Sequence, residues 1–150
     1  MHLSLIDVKN GSLVMNLFHD LSQQCSKATT EKYSTSFSGA IRLLHHDLRA
    51  PVYNIYGFVR FADEIVDTFH DYDKSFLLQQ FRKDTYDAIE RGISLNPILN
   101  SFQRTVNEYN IDYKLIDAFF NSMEMDLNKD RKSTRLNSSH VLRSRMPSSA

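Results

Sequence analysis

From residue 53 to residue 67 the chain reads Tyr53-Asn-Ile-Tyr-Gly-Phe-Val-Arg-Phe-Ala-Asp-Glu-Ile-Val-Asp67. This segment is predicted to be a helix that is apolar over most of its circumference. The apolar positions are Phe58, Val59, Phe61, Ala62, Ile65 and Val66. A helix that is apolar nearly all round is expected to be buried within a larger structure.

One narrow polar stripe interrupts that apolar surface. Tyr56, Arg60, Asp63 and Asp67 recur at i, i+4, i+7 and i+11, which at about 100° per residue places them within roughly 60° of one another. Because a lone buried carboxylate is costly, the stripe should face a wet or ion-filled cavity. Two carboxylates one turn apart repel each other, and a divalent cation removes that repulsion. The stripe therefore suggests a metal ion and a phosphorylated ligand. The alternative is a solvated helix face on which Arg60 contacts both aspartates.

Helical patterns cover the rest of the chain, and no alternating pattern typical of strands is present. The sequence therefore predicts an all-α fold. The first two predicted helices span residues 18–32 and 35–45. The third has Pro51 in its first turn and ends near Phe69, and the fourth lies between Asp73 and Gly92. The fifth spans 97–109, and the sixth is capped by Asp112. The first helix should be amphipathic through Phe18, Leu21, Cys25 and Ala28, and the sixth through Leu115, Ile116, Phe119, Phe120, Met123 and Leu127.

Composition excludes several classes of protein. With 41% hydrophobic and 11% aromatic residues, the 150-residue chain can bury the core of a single domain. Cys25 is the sole cysteine, which excludes a disulfide framework and a Cys-rich zinc site. No apolar run reaches the roughly 20 residues of a membrane span, and the start lacks the pattern of a signal peptide. We expect a cytoplasmic location, with membrane association as the alternative.

The formal net charge of zero hides an uneven distribution. The chain holds eighteen basic and eighteen acidic residues. Five basic residues and no acidic one lie in residues 131–150, namely Arg131, Lys132, Arg135, Arg143 and Arg145. Residues 1–130 therefore hold thirteen basic and eighteen acidic residues, a net charge of −5. Nucleic-acid binders carry their basic residues on a folded face, so we expect no nucleic-acid partner.

The segment 131–150 is predicted to be a disordered basic tail. It contains six serines and no aromatic residue, a composition that cannot bury a core. It looks like foreign sequence into which a reading frame has continued, so that residues 1–130 form the native part. The alternative is a native basic tail that binds acidic lipid headgroups.

Three motifs resemble the squalene/phytoene synthases, and the bacterial phytoene synthases in particular. They are Tyr33-Ser-Thr-Ser-Phe-Ser38, Ile55-Tyr-Gly-Phe-Val-Arg-Phe-Ala-Asp-Glu-Ile-Val-Asp67 and Ser122-Met-Glu-Met-Asp-Leu127. The resemblance runs from about Phe18 to about Asp130. It implies an isoprenoid-synthase-type helical bundle, truncated here, because the family's second aspartate-rich motif lies on a later helix. Asp126 and Asp130 have the same spacing, but we expect them on a solvated face.

The resemblance also implies the roles of individual residues. Catalysis would involve Tyr56, Arg60, Asp63 and Asp67, and the two aspartates would bind Mg²⁺, with Mn²⁺ as the alternative ion. Tyr33, Ser34, Thr35 and Ser36 would form the diphosphate-binding segment together with Arg60, although the family often has histidine at the position of Tyr33. Phe37, Tyr56, Met123 and Met125 would contact the prenyl chain. The alternatives are an ordinary helix cap for the hydroxyl residues and core packing for the large side chains. The neighbouring His45 and His46 should point apart on the surface.

The implied activity is condensation of two geranylgeranyl diphosphates to phytoene through prephytoene diphosphate. The alternatives are a squalene- or dehydrosqualene-type synthase that uses farnesyl diphosphate, and a non-catalytic relative that serves as an assembly factor. The resemblance also implies peripheral contact with a membrane when the apolar product leaves. We expect the truncated chain to be inactive alone.

Overall fold

The computed structural model describes the backbone of residues 5–144 and the side chains of residues 11–136. Within that range the chain forms six helices and no strand, which confirms the all-α prediction. They are α1 (Leu5–Tyr33), α2 (Thr35–Ile41), α3 (His46–Asp67), α4 (Lys74–Arg91), α5 (Pro97–Tyr109) and α6 (Tyr113–Ser144). The helix α3 packs against each of the other five helices.

Side-chain caps fix several helix ends where the sequence predicted them. The Asp73 side chain accepts a hydrogen bond from the Phe76 backbone N–H at the start of α4. Gly92 ends α4 in the left-handed conformation, with a φ of 71°, which glycine adopts without steric cost. The Asp112 side chain accepts from the Lys114 N–H at the start of α6. These caps satisfy backbone groups that the helix itself leaves unpaired.

The junction between α2 and α3 differs from the prediction. The second helix ends at Ile41 rather than His45, and α3 already begins at His46, so Pro51 lies inside α3 instead of in its first turn. Arg49 explains the early break, because its guanidinium donates to the carbonyls of Arg42 and Leu44 at 2.9 and 3.0 Å. These bonds stabilise a turn in place of further helix.

An aromatic cluster forms the centre of the core. The Phe58 ring stacks on Phe102 with 3.8 Å between centroids, and it also contacts Phe81, Phe119 and Phe120. These rings bring together α3, α4, α5 and α6. Each large aromatic side chain removes on the order of 150–250 Å² from water, so the cluster contributes substantially to stability. The predicted burial of the apolar positions of α3 is confirmed for Phe58, Ala62, Ile65 and Val66, whereas Val59 is half-buried and Phe61 is exposed.

Small polar residues, rather than the predicted apolar stripe, bury α1. Ser22, Ser26 and Thr30 are fully buried, whereas Leu21 is 55% exposed and Ala28 is also exposed. The Ser26 and Ser101 hydroxyls lie 2.5 Å apart. A Cβ atom added to Gly57 would lie 3.2 Å from the Ser26 Cα. The predicted stripe is wrong for Leu21 and Ala28 and is confirmed for Cys25, which is half-buried and packs against the core. Small polar side chains take the buried positions because α1 approaches α3 and α5 closely.

The sixth helix is longer than the sequence suggested. The predicted burial of Ile116, Phe120, Met123 and Leu127 is confirmed, whereas Leu115 is exposed. Residues 131–144 belong to α6 and differ from the expected disorder. Straight-chain residues such as Lys132 and Arg135 lose little rotamer freedom in a helix. The side chains of residues 131–136 are exposed, residues 145–150 lie outside the described range, and the division of the chain at residue 130 stays a prediction.

None of the described helices combines the length and the apolar composition needed to cross a membrane.

Candidate functional site

The predicted polar stripe lies along one side of α3. Tyr56, Arg60 and Asp63 are half-buried, and Asp67 is exposed at the last residue of the helix. The neighbouring positions Phe58, Ala62 and Ile65 face the core. The same helix therefore presents an apolar side to the core and a charged side at the protein surface.

Arg60 is the most constrained charged residue of this stripe. Its Nη2 donates to the Glu64 Oε2 at 2.7 Å, and its Nη1 lies 3.9 Å from the Asp63 Oδ2. Its Nε is buried and has no hydrogen-bond partner among the described residues. The predicted contact with Asp63 is therefore present at ion-pair distance. The main partner, Glu64, was not predicted from the sequence, although its i+4 spacing is the usual signal for such a pair.

The junction of α1 and α2 lies beside Arg60. The Tyr33 ring, at the end of α1, has its centroid 4.3 Å from the Arg60 Cζ, which is cation–π distance. Ser34 caps α2 by accepting from the Phe37 N–H at 3.2 Å. The alternative of an ordinary cap is thus confirmed for Ser34. Its hydroxyl hydrogen stays available, because that bond uses only an oxygen lone pair. Thr35 and Ser36 are exposed in the first turn of α2.

Two aromatic side chains extend the site along α3. The Phe37 and Tyr56 rings stack with centroids 5.0 Å apart and an interplanar angle of 28°. Phe37 keeps 39% of its surface exposed. The structure therefore brings Tyr33, Arg60 and Asp63 into one connected group. Phe37 and Tyr56 form a second, stacked pair.

Negative charge accumulates around Asp63. Partial burial raises the pKa of the Asp63 carboxyl above its usual value, Asp67 and Asp126 raise this pKa further, and Arg60 opposes them. A divalent cation would relieve that repulsion, and carboxylate oxygens are the ligands that Mg²⁺ prefers. The donor set of Asp63 and Asp67 therefore fits the predicted metal.

Asp126 is a charge near the site that the sequence did not reveal. It was expected on a solvated face, and it is indeed exposed. However, α6 packs against α3 through the buried Met123 and Leu127, and Asp126 is close enough to Asp63 to affect its pKa. The sequence did hold an indication of this position, because Asp126 lies between Met123 and Leu127, two residues of the stripe predicted to be buried.

The remaining candidates lie apart from this group. Met123 is buried in the core, at 8% exposure, and Met125 is exposed. His45 and His46 are exposed as predicted, but their rings lie 4.5 Å apart rather than pointing away from each other. The reason is that His45 precedes the first turn of α3 and acts as its cap.

A cleft of about 870 Å³ lies between the α3–α4 connection and the second half of α6. Its lining includes His70, Lys74, Leu127 and Arg135. None of the residues predicted to bind substrate or metal lines it.

Comparison with known proteins gives two similarities. Residues 30–139, well over half of the chain, match the squalene/phytoene synthase family. A 97-residue stretch is 31% identical to presqualene diphosphate synthase from Rhodopseudomonas palustris, covering 64% of this chain and 34% of that protein. The chain thus spans about a third of the length of this relative. No solved structure matches the chain.

The matched region contains the α1–α2 junction, the whole of α3 and the part of α6 that packs on it. It therefore contains every residue of the connected group and all three carboxylates. On these grounds the chain belongs to the squalene/phytoene synthase family.

Proposed function

We propose that this chain is part of a prenyltransferase that joins two isoprenoid diphosphates head to head, with geranylgeranyl diphosphate as substrate and phytoene as product. The observation that carries the proposal is the pairing of opposite charges on α3. An arginine with a buried, unpartnered Nε lies beside Asp63, whose pKa is raised by partial burial and further by the charges of Asp67 and Asp126. Such a surface is complementary to a diphosphate bound with a divalent cation.

The charged residues have separate roles in this proposal. Arg60 donates to diphosphate oxygens through its free N–H groups, which form a planar fork suited to such an anion. Asp63 and Asp67 hold Mg²⁺, with Mn²⁺ as the alternative. When bound, the ion neutralises the charge that develops on the leaving diphosphate. The hydroxyls of Ser34, Thr35 and Ser36 add donors at the start of α2.

The aromatic residues would serve the hydrocarbon part of the substrate. The stacked rings of Phe37 and Tyr56 border the Arg60 side of α3. Ionisation of an allylic diphosphate leaves a carbocation, and an aromatic face stabilises a cation by its quadrupole. Phe37 and Tyr56 would therefore orient the prenyl chain and shield the cation from water. Met123 would contribute from the core side, since α6 packs against α3.

A second candidate acts on farnesyl diphosphate. The relative from Rhodopseudomonas palustris is a presqualene diphosphate synthase by name, which supports a squalene- or dehydrosqualene-type reaction. Both candidates use the same charged group on α3 and differ in prenyl chain length. A non-catalytic role is disfavoured, because Asp63 and Asp67 are both present. We place the enzyme in the cytoplasm, with peripheral membrane contact during product release.

The proposal can be tested in a chimera. The 97-residue stretch of the Rhodopseudomonas palustris enzyme is replaced by the matching stretch of this chain. The chimera is then assayed for diphosphate release and product with geranylgeranyl and farnesyl diphosphates plus Mg²⁺. We expect turnover, and Asp63→Asn or Asp67→Asn should abolish it. Charge stabilisation by a metal ion is worth several kcal/mol, which corresponds to about a hundredfold or more in rate.

The matched control is Asp87→Asn, which removes an α4 carboxylate that pairs with Lys83 outside the site. It should leave turnover unchanged. Near-normal turnover of either site variant, with circular dichroism showing an intact fold, would rule out the metal role. Competition between the two substrates, measured for the chimera and for the unaltered Rhodopseudomonas palustris enzyme, shows which prenyl chain length this chain favours. A shift towards geranylgeranyl diphosphate supports phytoene, and no shift supports the farnesyl candidate.

A further inference from the structure

Two residues hold the Arg60 side chain in place: Glu64, which has no assigned part in the chemistry, and Tyr33, which the resemblance placed in the diphosphate-binding segment. Glu64, one turn further along α3, accepts from the Arg60 Nη2 at 2.7 Å. Tyr33, at the end of α1, places its ring centroid 4.3 Å from the Arg60 Cζ. One contact fixes an edge of the guanidinium plane and the other covers a face of it.

The burial of these groups distinguishes the pair from an ordinary surface salt bridge. The side chains of Arg60 and Glu64 are each only 22% exposed. By contrast, the Lys83–Asp87 pair on α4 has the same i+4 spacing and the same 2.7 Å distance, but its lysine is 68% exposed. Ion pairs on an open surface contribute little, because water screens them and two long side chains must be ordered. The Arg60–Glu64 pair is better shielded from water.

The same contacts leave donors of Arg60 available. Glu64 is bonded to the Nη2 alone. The Nη1 is 3.9 Å from Asp63, beyond hydrogen-bond length, and the buried Nε has no described partner. The guanidinium is therefore fixed in orientation. Its Nη1 donors and the second Nη2 donor have no hydrogen bond within the described residues and can meet an anion, whereas the unpaired Nε is buried.

We infer that Glu64 and Tyr33 are positioning residues that pre-organise Arg60 for a diphosphate, and that Tyr33 acts through its ring face on Arg60. This inference rests on the proposed diphosphate-binding role of Arg60. A long, flexible side chain that is ordered before binding loses less conformational entropy when the ligand arrives. The tyrosine at position 33 then serves the site through stacking, without needing a hydrogen bond from its own hydroxyl to phosphate.

An opposing electrostatic effect makes the inference testable. The carboxylate of Glu64 lies beside the proposed anion site, so its charge by itself should weaken diphosphate binding. If charge dominated, Glu64→Gln would tighten binding. If positioning dominates, Glu64→Gln should weaken it, by about two- to tenfold for one freed side chain. The sign of the change therefore separates the two roles.

The first experiment measures the order of Arg60 in the 150-residue chain without ligand. The backbone and the Arg60 Nε are followed by ¹⁵N relaxation, together with hydrogen exchange of the Nε–H. We expect a rigid Nε in the wild type and a mobile one in Glu64→Gln and in Tyr33→Leu. Tyr33→Phe keeps the ring face and should keep Arg60 rigid. Asp87→Asn breaks the matched α4 pair and should not affect Arg60.

The second experiment titrates inorganic diphosphate into the same proteins with Mg²⁺ by calorimetry. Weaker binding by Glu64→Gln and Tyr33→Leu, together with increased mobility of Arg60, supports the inference. Unchanged mobility of Arg60 in both variants overturns it, whatever the affinity. Tighter binding by Glu64→Gln also overturns it, because the charge effect then dominates.

The two experiments separate failure of this inference from failure of the proposed function. If the wild type binds no diphosphate, the assignment of Arg60 as a diphosphate ligand fails in this chain, and a positioning role for that ligand fails with it. If the wild type binds diphosphate but Arg60 is equally mobile in all variants, the proposed function stands and the positioning role is overturned.

Discussion

The two sides of α3 differ in how their side chains contribute to the stability of the fold. On the core side, Phe58 is 3% exposed and stacks on Phe102 at 3.8 Å. On the other side, the buried Arg60 Nε has no partner among the described residues, and partial burial together with neighbouring carboxylates raises the pKa of Asp63. The first side is held by aromatic stacking, and its one unsatisfied atom among the described residues is the neutral Asn54 Oδ1. The second side combines an unsatisfied charged donor with like-charge repulsion.

This difference indicates which residues serve stability and which serve binding. An unpaired buried donor costs about 1–3 kcal/mol, so a chain selected for stability alone would not keep it. Sites that bind charged ligands commonly carry such local costs, which the rest of the fold offsets. Substitutions on the two sides of α3 should therefore have opposite effects on the free energy of unfolding.

The largest effect is expected on the core side. Phe58→Ala removes a ring that contacts four other phenylalanines. It should lower the free energy of unfolding by about 3–5 kcal/mol, a large part of the roughly 5–15 kcal/mol of a typical domain. Urea denaturation followed by circular dichroism measures the change. A loss below about 1 kcal/mol would show that the aromatic cluster does not govern stability.

An intermediate effect is expected where α3 meets α1. In Gly57→Ala the new methyl group would lie 3.1–3.2 Å from Ser26, including its backbone Cα. The two helices would have to separate, so we expect a loss of about 1–3 kcal/mol, as for other overpacked sites. Gly39→Ala is the matched control, because a Cβ there meets nothing within 4 Å.

The control, Gly39→Ala, should raise the free energy of unfolding, whereas Gly57→Ala should lower it. Gly39 lies in α2, where alanine is favoured over glycine by roughly 0.5–1 kcal/mol. Thermal melts of both variants give the comparison. Stabilisation by Gly57→Ala would mean that α1 adjusts readily and that the close approach is not a constraint.

The smallest effect on the free energy of unfolding is expected on the charged side of α3. Its sign should be opposite to that of Phe58→Ala and Gly57→Ala. The raised pKa of Asp63 means that its ionised form is disfavoured in the folded state. Its cost is therefore fully present above the raised pKa and disappears as the pH falls towards the usual value of 3.8. Asp63→Asn should raise the free energy of unfolding at neutral pH by a few tenths of a kcal/mol, about the size of one like-charge helix pair.

Urea midpoints of wild type and Asp63→Asn at neutral pH and well below the usual Asp pKa of 3.8 test this sign. The stabilisation should be present at neutral pH and absent at the acidic value. Destabilisation by Asp63→Asn at neutral pH would mean that the pair with Arg60 outweighs the repulsion from the other carboxylates. Substitutions on both sides of α3 would then lower the free energy of unfolding.

Local chemistry made some features predictable and left others open. The ends of α4 follow from Asp73 and Gly92, since a cap needs only residues adjacent in sequence. The start of α3 was missed because Arg49 stabilises the preceding turn from within the next helix. The polar stripe was visible from spacing alone. Glu64 was not singled out, because spacing does not show which of several carboxylates an arginine reaches.

The sequence by itself determined the helical periodicity, the caps and the alignment of Tyr56, Arg60, Asp63 and Asp67 on one side of α3, because these depend on neighbours within about one or two turns. Only the tertiary structure decided that serines rather than leucines bury α1, since that depends on how closely α1, α3 and α5 approach. It also decided that Tyr33 from α1 covers Arg60 and that Asp126 from α6 adds charge near Asp63. Those contacts join residues far apart in the chain, and the packing of helices, not their periodicity, brings such residues together.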